Sequence, residues 1–133
     1  MKMIDADRRR LGTLLTNPDD RAWGTLKRRA DLYSLLEEAT PIDSRDAPET
    51  LVTMNTTVEL VDLRSGSRRI VTLAYPDDLD AVSGGVSVLK PLGVALIGRE
   101  EGDVVQCPDE HGNRPMLVAN IVHQPERSGL WHL

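Results

Sequence analysis

Two adjacent aspartates, Asp19 and Asp20, are the residues whose type and spacing most suggest chemistry in this sequence. They lie between two segments with helical patterns, so we expect them at the tip of a helical hairpin. Mg²⁺ is bound by a few carboxylates and waters, so the pair could complete a magnesium site held partly by another macromolecule. Aspartate is also a preferred N-cap, and capping the second helix explains the same pair without a metal.

Two basic triplets lie in the two predicted helices. They are Arg8, Arg9 and Arg10 in the first helix and Lys27, Arg28 and Arg29 in the second. An antiparallel hairpin would join them into one basic band that could contact an acidic or polyanionic partner. The simpler interpretation is a solvated face with ion pairs to Asp5, Asp7, Asp31 and Glu37.

The remaining reactive residue types do not form a recognisable site. The three histidines, His111, His123 and His132, lack metal-ligand spacing with one another or with Cys107. Cys107 precedes a proline and is typical of a small buried hydrophobic residue. Phosphate-binding glycine loops and nucleophile elbows are absent from the sequence. We therefore predict no catalytic residue, no metal site and no cofactor.

Composition narrows the function further. The chain has 133 residues, with 16 Lys and Arg against 21 Asp and Glu, which gives a net charge of −5 and disfavours free nucleic acid as the main partner. With no Phe, two Trp and two Tyr, it is poorly equipped to stack bases or to line an aromatic pocket. Its N-terminus is not a signal peptide and no stretch resembles a membrane helix, so we expect a cytoplasmic, bacterial-type protein with no membrane partner.

Residues 1–40 are predicted to form two helices around the Asp19 and Asp20 turn. Asp5 or Asp7 can cap the start of the first helix, whose apolar stripe is Ile4, Leu11, Leu14 and Leu15. The second covers about residues 22–39 and carries two apolar rows, Trp23, Leu26, Ala30 and Tyr33, then Leu32, Leu35, Leu36 and Ala39. We assign Trp23 and Tyr33 to the seam between the helices. At 1.5 Å per residue the arms would be roughly 18 and 27 Å long.

The pattern changes after residue 40. Residues 41–50 contain two prolines and several charges and are predicted to be a linker to a second domain, residues 51–133. That domain has strand patterns at residues 51–63, 68–75, 86–89, 104–107 and 116–123, and a short helix from Pro91 that ends at Gly98. Most strands are joined by short turns, so we predict an α+β fold with an antiparallel sheet packed on one helix.

Several sequence blocks, in a shared order, resemble the Gre-factor family, and most closely its Rnk subfamily, the regulators of nucleoside diphosphate kinase. The blocks are VTMN at residues 52–55, LAYP at 73–76, SVLKPLGVALIG at 87–98, Gly102-Asp103, and HQPE at 123–126. The resemblance implies an FKBP-like Gre C-terminal domain after a short N-terminal coiled-coil hairpin. It also implies binding to bacterial RNA polymerase near its secondary channel, and we expect the chain to be a monomer.

Residue roles follow from the same resemblance. The docking loop of Gre factors precedes the short helix and corresponds to Leu89, Lys90 and Pro91. Gre factors typically have an acidic residue and then Ser at the first two positions, so Leu89 and Lys90 depart from that pattern and docking would use different contacts. Gre factors stimulate RNA cleavage with acidic residues at the tip of a much longer hairpin. Only Asp19 and Asp20 match that role here, and their adjacency departs from the wider spacing of cleavage factors.

The short arms predict a regulator that binds polymerase without stimulating transcript cleavage, competes with Gre factors, and affects nucleoside diphosphate kinase levels only indirectly. The main alternative is an active cleavage factor that uses Asp19 and Asp20. A prolyl isomerase is compatible with an FKBP-like fold, but before the tail the sheet domain offers a pocket only Tyr75 as an aromatic residue. A plain interaction module that binds through the basic band is the fourth hypothesis.

Overall fold

A computed structural model of the chain describes residues 1–15, 26–82, 84–109 and 112–126. These residues form three α-helices, seven β-strands and two 3₁₀ helices. The helices are α1 (Asp5–Leu15), α2 (Leu26–Glu38) and α3 (Pro91–Leu96). The strands are β1 (Lys2–Ile4), β2 (Thr40–Ile42), β3 (Thr57–Asp62), β4 (Arg68–Ala74), β5 (Gly85–Ser87), β6 (Val104–Asp109) and β7 (Gly112–His123). The 3₁₀ helices are Ser44–Asp46 and Pro76–Ala81.

The described parts of α1 and α2 run antiparallel to each other. The Arg8 Nε donates to the carbonyl oxygen of Leu36 at 3.1 Å, so the start of α1 lies beside the end of α2. The Arg29 Nη2 donates to the carbonyl oxygen of Leu15 at 2.7 Å, so the end of α1 lies beside the start of α2. Of the two aspartates predicted at the start of α1, Asp5 is the first residue of the helix.

The assignment of Tyr33 to the seam between the helices is wrong. Leu32 and Leu36 are buried, and Ala39 just beyond the helix is buried with them. Tyr33, assigned to the seam, is 55% exposed. Adjacent helical positions differ by about 100° around the axis, so burying the row that contains Leu32 turns Tyr33 toward solvent. Trp23, the other assigned seam residue, is outside the described residues.

A small parallel sheet closes the base of the helical pair. β1 pairs with β2, with Lys2 opposite Thr40 and Ile4 opposite Ile42. The side chains of Met3 and Ile4 are buried in the core. The predicted linker therefore contains a strand and the 3₁₀ helix Ser44–Asp46, which the prolines and charges of residues 41–50 did not reveal. Strands of three residues are too short to show an alternating pattern.

The main sheet has five strands in the order β5-β4-β3-β7-β6. β3 and β4 form an antiparallel hairpin around residues 64–67, as predicted, with Val58 opposite Val71. Burial alternates along β3, so Val58 and Leu60 face the core as the sequence pattern indicates. The all-antiparallel prediction is wrong at one edge, because β5 pairs with β4 in parallel. Parallel neighbours need a crossover connection, and residues 75–84, with the 3₁₀ helix Pro76–Ala81, supply it.

Helix α3 lies close against the end of β5, and two glycines permit this arrangement. A Cβ added at Gly93 would lie 2.0 Å from the carbonyl oxygen of Ser87, so only glycine allows the helix to approach this closely. Gly98 has a φ of 78° and ends the helix, as predicted. Its N–H donates to the carbonyl oxygen of Val52 at 3.0 Å. These contacts hold the residues before α3 in a fixed position on the sheet.

Candidate functional site

The three residues before and at the start of α3 form a tightly held loop. The Leu89 N–H donates to Ser87 Oγ at 3.2 Å, and the Lys90 N–H donates to the Ser87 carbonyl oxygen at 3.0 Å. The Leu89 side chain is buried in the core, whereas Lys90 is exposed and Pro91 is partly exposed. Leu89 therefore anchors the loop, and Lys90 and Pro91 are the members of the predicted docking set that present a surface.

A shallow depression of about 360 Å³ borders this loop. Lys90 and Pro91 line one side of it, Arg69 of β4 lines another, and Leu92 and Val86 contribute apolar walls. Two cations beside an apolar depression are suited to an acidic partner segment that carries a hydrophobic side chain. Sequence patterns alone do not indicate Arg69, because β4 and the α3 loop come together only through the sheet.

The basic residues of α1 have specific partners that differ from the predicted ones. Arg8 bonds the carbonyl oxygen of Leu36, and Arg9 bonds the Asp5 carbonyl oxygen of its own helix at 3.4 Å. Arg10 lies 3.9 Å from the centre of the Tyr75 ring and pairs with Asp78 at 3.5 Å. Arg8 and Arg10 therefore connect α1 to other elements, in addition to contributing positive charge.

The rest of the predicted basic band is described only in part. Arg29 bonds the Leu15 carbonyl oxygen and so joins the two helices. The backbone of α2 includes Lys27 and Arg28, but their side chains lie outside what the structure describes, as do Asp19 and Asp20. Among the described residues, no group of three or more His, Cys, Asp and Glu side chains could hold a metal ion.

Asp7 is a buried carboxylate at the contact between α1 and the sheet domain. It is 2% exposed, and its Oδ2 accepts a hydrogen bond from the Met54 N–H at 3.0 Å. The pKa of Asp7 is raised from 3.8 to about 7, chiefly by burial and also by the nearby Glu126 carboxylate, while the bond from Met54 and the charge of Arg10 oppose the increase. The prediction that Asp7 caps a helix or pairs on a solvated face is therefore wrong.

Two further polar side chains surround Asp7. Glu126 accepts a hydrogen bond from Thr53 Oγ1 at 2.8 Å, and partial burial raises its pKa. The Tyr75 hydroxyl is buried without a hydrogen bond of normal geometry to any described residue, and burial together with Asp7 raises its pKa. The joint between the helices and the sheet is thus a buried polar cluster that contains a carboxyl group, Asp7, with a pKa of about 7.

The spacing of α1 already contained a signal for Asp7. The predicted apolar stripe runs from Ile4 to Leu11, and position 7 is three residues after the first and four before the second. That spacing places residue 7 on the same face as its apolar neighbours. An acidic residue inside an apolar stripe indicates a buried carboxyl group with a defined partner.

Comparison with known proteins identifies the family. Residues 47–122 match the family model described as "Transcription elongation factor, GreA/GreB, C-term". The chain belongs to the GreA/GreB family. Among the described residues, no helix is long and apolar enough to cross a membrane.

Individual relatives cover different shares of the chain. It is 32% identical over 126 residues to the regulator of nucleoside diphosphate kinase of Escherichia coli K12, an alignment that covers 94% of this chain and 90% of the relative. It is 48% identical over 76 residues to the elongation factor GreA of Nitratidesulfovibrio vulgaris, but that match covers only 57% of this chain and 48% of GreA. A solved GreA/GreB factor from Nitrosomonas europaea superimposes with a TM-score of 0.73 at 30% identity, over 92% of this chain and 98% of that structure.

Proposed function

We propose that this protein is an Rnk-type regulator that binds bacterial RNA polymerase near its secondary channel and does not stimulate transcript cleavage. The observation that carries the proposal is the family match over residues 47–122, which includes the α3 loop and the sheet that supports it. A relative named regulator of nucleoside diphosphate kinase aligns with 94% of the chain. In this proposal any effect on nucleoside diphosphate kinase levels is indirect and arises through transcription.

The docking surface in this proposal is the exposed end of the α3 loop. Lys90 and Pro91 stand on a loop whose backbone is bonded to Ser87 and whose Leu89 side chain is buried, so they are presented rigidly. Lys90 stands where Gre factors typically have Ser, Leu89 stands where they have an acidic residue, and Arg69 lies beside the same depression. The surface is therefore suited to an acidic segment of the polymerase.

The absence of cleavage stimulation rests on the reach of the helices. α1 begins at Asp5 and α2 ends at Glu38, so two helical arms that shared this span equally would each be about 25 Å long at 1.5 Å per residue. Metal ligation requires a carboxylate oxygen within about 2.1 Å of Mg²⁺. A tip carrying Asp19 and Asp20 on a short arm would stop before the polymerase metal site.

The proposal also includes the architecture of the two parts of the chain. The antiparallel contact of α1 with α2 supports a short coiled-coil hairpin, and the curled five-stranded sheet with α3 supports an FKBP-like C-terminal domain. The protein acts as a non-enzymatic, monomeric factor in the cytoplasm.

The test is binding to purified core RNA polymerase, with a GreA factor as the positive control in the same assay. We expect the wild-type chain to bind at micromolar concentration or tighter, and Lys90→Glu to weaken binding by about tenfold. Lys2→Glu is the matched control, because Lys2 is an exposed lysine on β1 outside the docking loop, and it should change binding by less than about twofold.

The outcomes are distinguishable. If GreA binds and this chain does not, the polymerase proposal is wrong. If the chain binds and Lys90→Glu binds equally well, the protein is a polymerase factor but the docking surface lies elsewhere. Cleavage of backtracked RNA by the wild-type chain, lost in Asp19→Asn/Asp20→Asn, would favour the cleavage-factor alternative.

A further inference from the structure

A second cleft, separate from the docking loop, lies where α1 meets the sheet domain. It is open to solvent and has a volume of about 780 Å³, within the range of about 300 to 1,000 Å³ typical of small-molecule sites. Arg10 contributes from α1, Thr57 and Thr72 from the sheet, and Asp78 from the 3₁₀ helix Pro76–Ala81. Small-molecule sites often occur at such boundaries between structural units.

The cleft combines a cation with several side chains that can donate hydrogen bonds. Arg10 provides a guanidinium, Asn55 an amide and His123 an imidazole. The Thr57 and Thr72 hydroxyls, 2.8 Å from each other, add two more polar groups on neighbouring strands. The Asn55 side chain makes no hydrogen bond within the described part of the chain. A cleft that offers a guanidinium together with amide, imidazole and hydroxyl donors is suited to a ligand with several acceptor oxygens.

Asp78 is the acidic side chain that lines the cleft among the described residues, and its pairing with Arg10 is loose. The Arg10 Nη2 to Asp78 Oδ2 distance is 3.5 Å, whereas good charge-assisted hydrogen bonds measure about 2.7 to 2.9 Å. Both side chains keep substantial exposure, 47% for Arg10 and 39% for Asp78. Because the pair is long and exposed, a better anion can replace Asp78 on the guanidinium.

Arg10 is nevertheless well positioned to receive an anion. Its guanidinium lies 3.9 Å from the centre of the Tyr75 ring, and Tyr75 is buried. Stacking on a fixed ring holds the guanidinium plane and lowers the entropy lost when a ligand binds. The backbone of Asn55 is held as well, because its N–H donates to the Leu73 carbonyl oxygen at 2.7 Å.

The apolar part of the cleft indicates that the ligand is larger than a simple inorganic ion. Ile70 of β4 is 58% exposed, although the strand places it beside buried residues. Val82 and Pro125 form further apolar walls. An apolar wall beside polar anchors is the usual construction of a site for a small organic molecule.

We infer that this cleft binds a small organic phosphate, whose phosphate group pairs with Arg10 and bonds Asn55 and His123, and whose organic part lies against Ile70 and Val82. A phosphate monoester is preferred to a carboxylate because it offers three strong acceptor oxygens to the surrounding donors. Binding displaces Asp78 from Arg10 and adds a bridge between α1 and the sheet. The inference does not depend on the polymerase proposal, since none of these residues lines the depression beside Lys90.

The experiment is a titration of the full chain followed by two-dimensional amide NMR, with adenosine 5′-monophosphate as the probe. Inorganic phosphate, adenosine and benzoate serve as comparison probes for the anion alone, the organic part alone and a carboxylate. We expect saturable shifts at Thr57, Thr72 and His123, with the monophosphate binding at least about tenfold more tightly than each comparison probe.

Three variants give expected changes of different sign. Arg10→Gln should weaken monophosphate binding by about tenfold, because it removes the cation. Asp78→Asn should strengthen binding by about threefold or more, because it removes the competing carboxylate. Arg9→Gln is the matched control on the same helix, and it should leave the affinity within about twofold because Arg9 bonds the Asp5 carbonyl oxygen outside the cleft.

Several results would overturn the inference. They are the lack of saturable binding at millimolar monophosphate, equal binding of adenosine, inorganic phosphate or benzoate, and unchanged affinity in Arg10→Gln. Asp78→Asn keeps the test valid if Arg10→Gln fails to fold, because a failure of Asp78→Asn to tighten binding also contradicts the proposed site.

Discussion

At the scale of single residues, Asp7 connects the sequence pattern with the assembly of the molecule. It lies on the apolar stripe of α1, and its carboxylate accepts a hydrogen bond from the Met54 N–H where α1 contacts the sheet domain. A buried carboxylate without sufficient hydrogen bonds favours its protonated form, and the proximity of Glu126 adds to that preference. The energy of this joint therefore depends on pH.

The sign of the pH effect follows from the pKa of Asp7, which is about 7 in the folded chain and 3.8 in its unperturbed state. Between these values the folded state binds more protons than the unfolded state, so the free energy of unfolding falls as pH rises from 4 to 7. Between pH 5 and 8 the loss from Asp7 is about 2 to 3 kcal/mol. Glu126, whose pKa is also raised, acts in the same direction.

Asp7→Asn should flatten this dependence and make the variant more stable than the wild type at pH 8, since asparagine stays neutral and its carbonyl can still accept the Met54 N–H. Urea unfolding at pH 5 and pH 8 measures the effect. Asp5→Asn is the control, because Asp5 is exposed and its loss should leave the wild-type difference between the two pH values intact. An equal decrease in stability for wild type and Asp7→Asn would show that Asp7 does not carry the effect.

At the scale of elements, the sequence pattern predicted those features that depend on neighbouring residues in the chain. The β3 and β4 hairpin, α3 and the start of α1 were predicted because alternation, turn residues and caps act over a few neighbouring positions. The parallel pairing of β5 with β4 and of β1 with β2 was not, because it joins distant segments through backbone bonds. Tyr33 was misplaced because two apolar rows competed on α2 and only packing decides between them.

The candidate site shows the same division. The resemblance placed the docking loop at residues 89–91, yet it did not indicate that Leu89 is buried while Lys90 is exposed. The partners of Arg10, the Tyr75 ring and Asp78, could not be predicted because they belong to elements that meet only in the folded chain. The position of Asp19 and Asp20 at the tip of the helical hairpin stays a prediction, because both lie outside the described residues.

The close contact of α3 with the end of β5 should make the stability of the fold sensitive to substitution of Gly93. Gly93→Ala should destabilise the fold by about 3 kcal/mol, because the new methyl group would lie 2.0 Å from the Ser87 carbonyl oxygen and would force α3 and its loop apart. Gly12→Ala is the matched control: nothing lies within 4 Å of its added methyl group, so it should stabilise α1 by up to about 1 kcal/mol. Chemical denaturation measures both, and equal effects of the two substitutions would contradict the packing argument.

At the scale of the whole molecule, a rigid docking domain with short helical arms should occupy the polymerase without completing its cleavage site. We therefore expect the chain to inhibit GreA-stimulated cleavage in backtracked complexes. The chain concentration required for half-inhibition should rise in proportion to GreA concentration, as competition for one surface requires.

Two variants separate docking from tip chemistry in that assay. Lys90→Glu should lose most of the inhibition, and Asp19→Asn/Asp20→Asn should inhibit as well as the wild type. Inhibition that is insensitive to GreA concentration would indicate a different binding surface. Loss of inhibition in the double aspartate variant would assign the tip a part in binding.

The pairing of β1 with β2 has a consequence for how this architecture varies in length. Because Ile4 and Ile42 face each other across the small sheet, the two ends of the helical segment are clamped together, whatever lies between them. Helical turns can then be inserted or removed in matched pairs distal to the clamp without altering the register of the main sheet. The small sheet can therefore serve as a constant base for helical arms of different length. Variants that differ only in arm length would test how reach alone affects transcript cleavage by the polymerase.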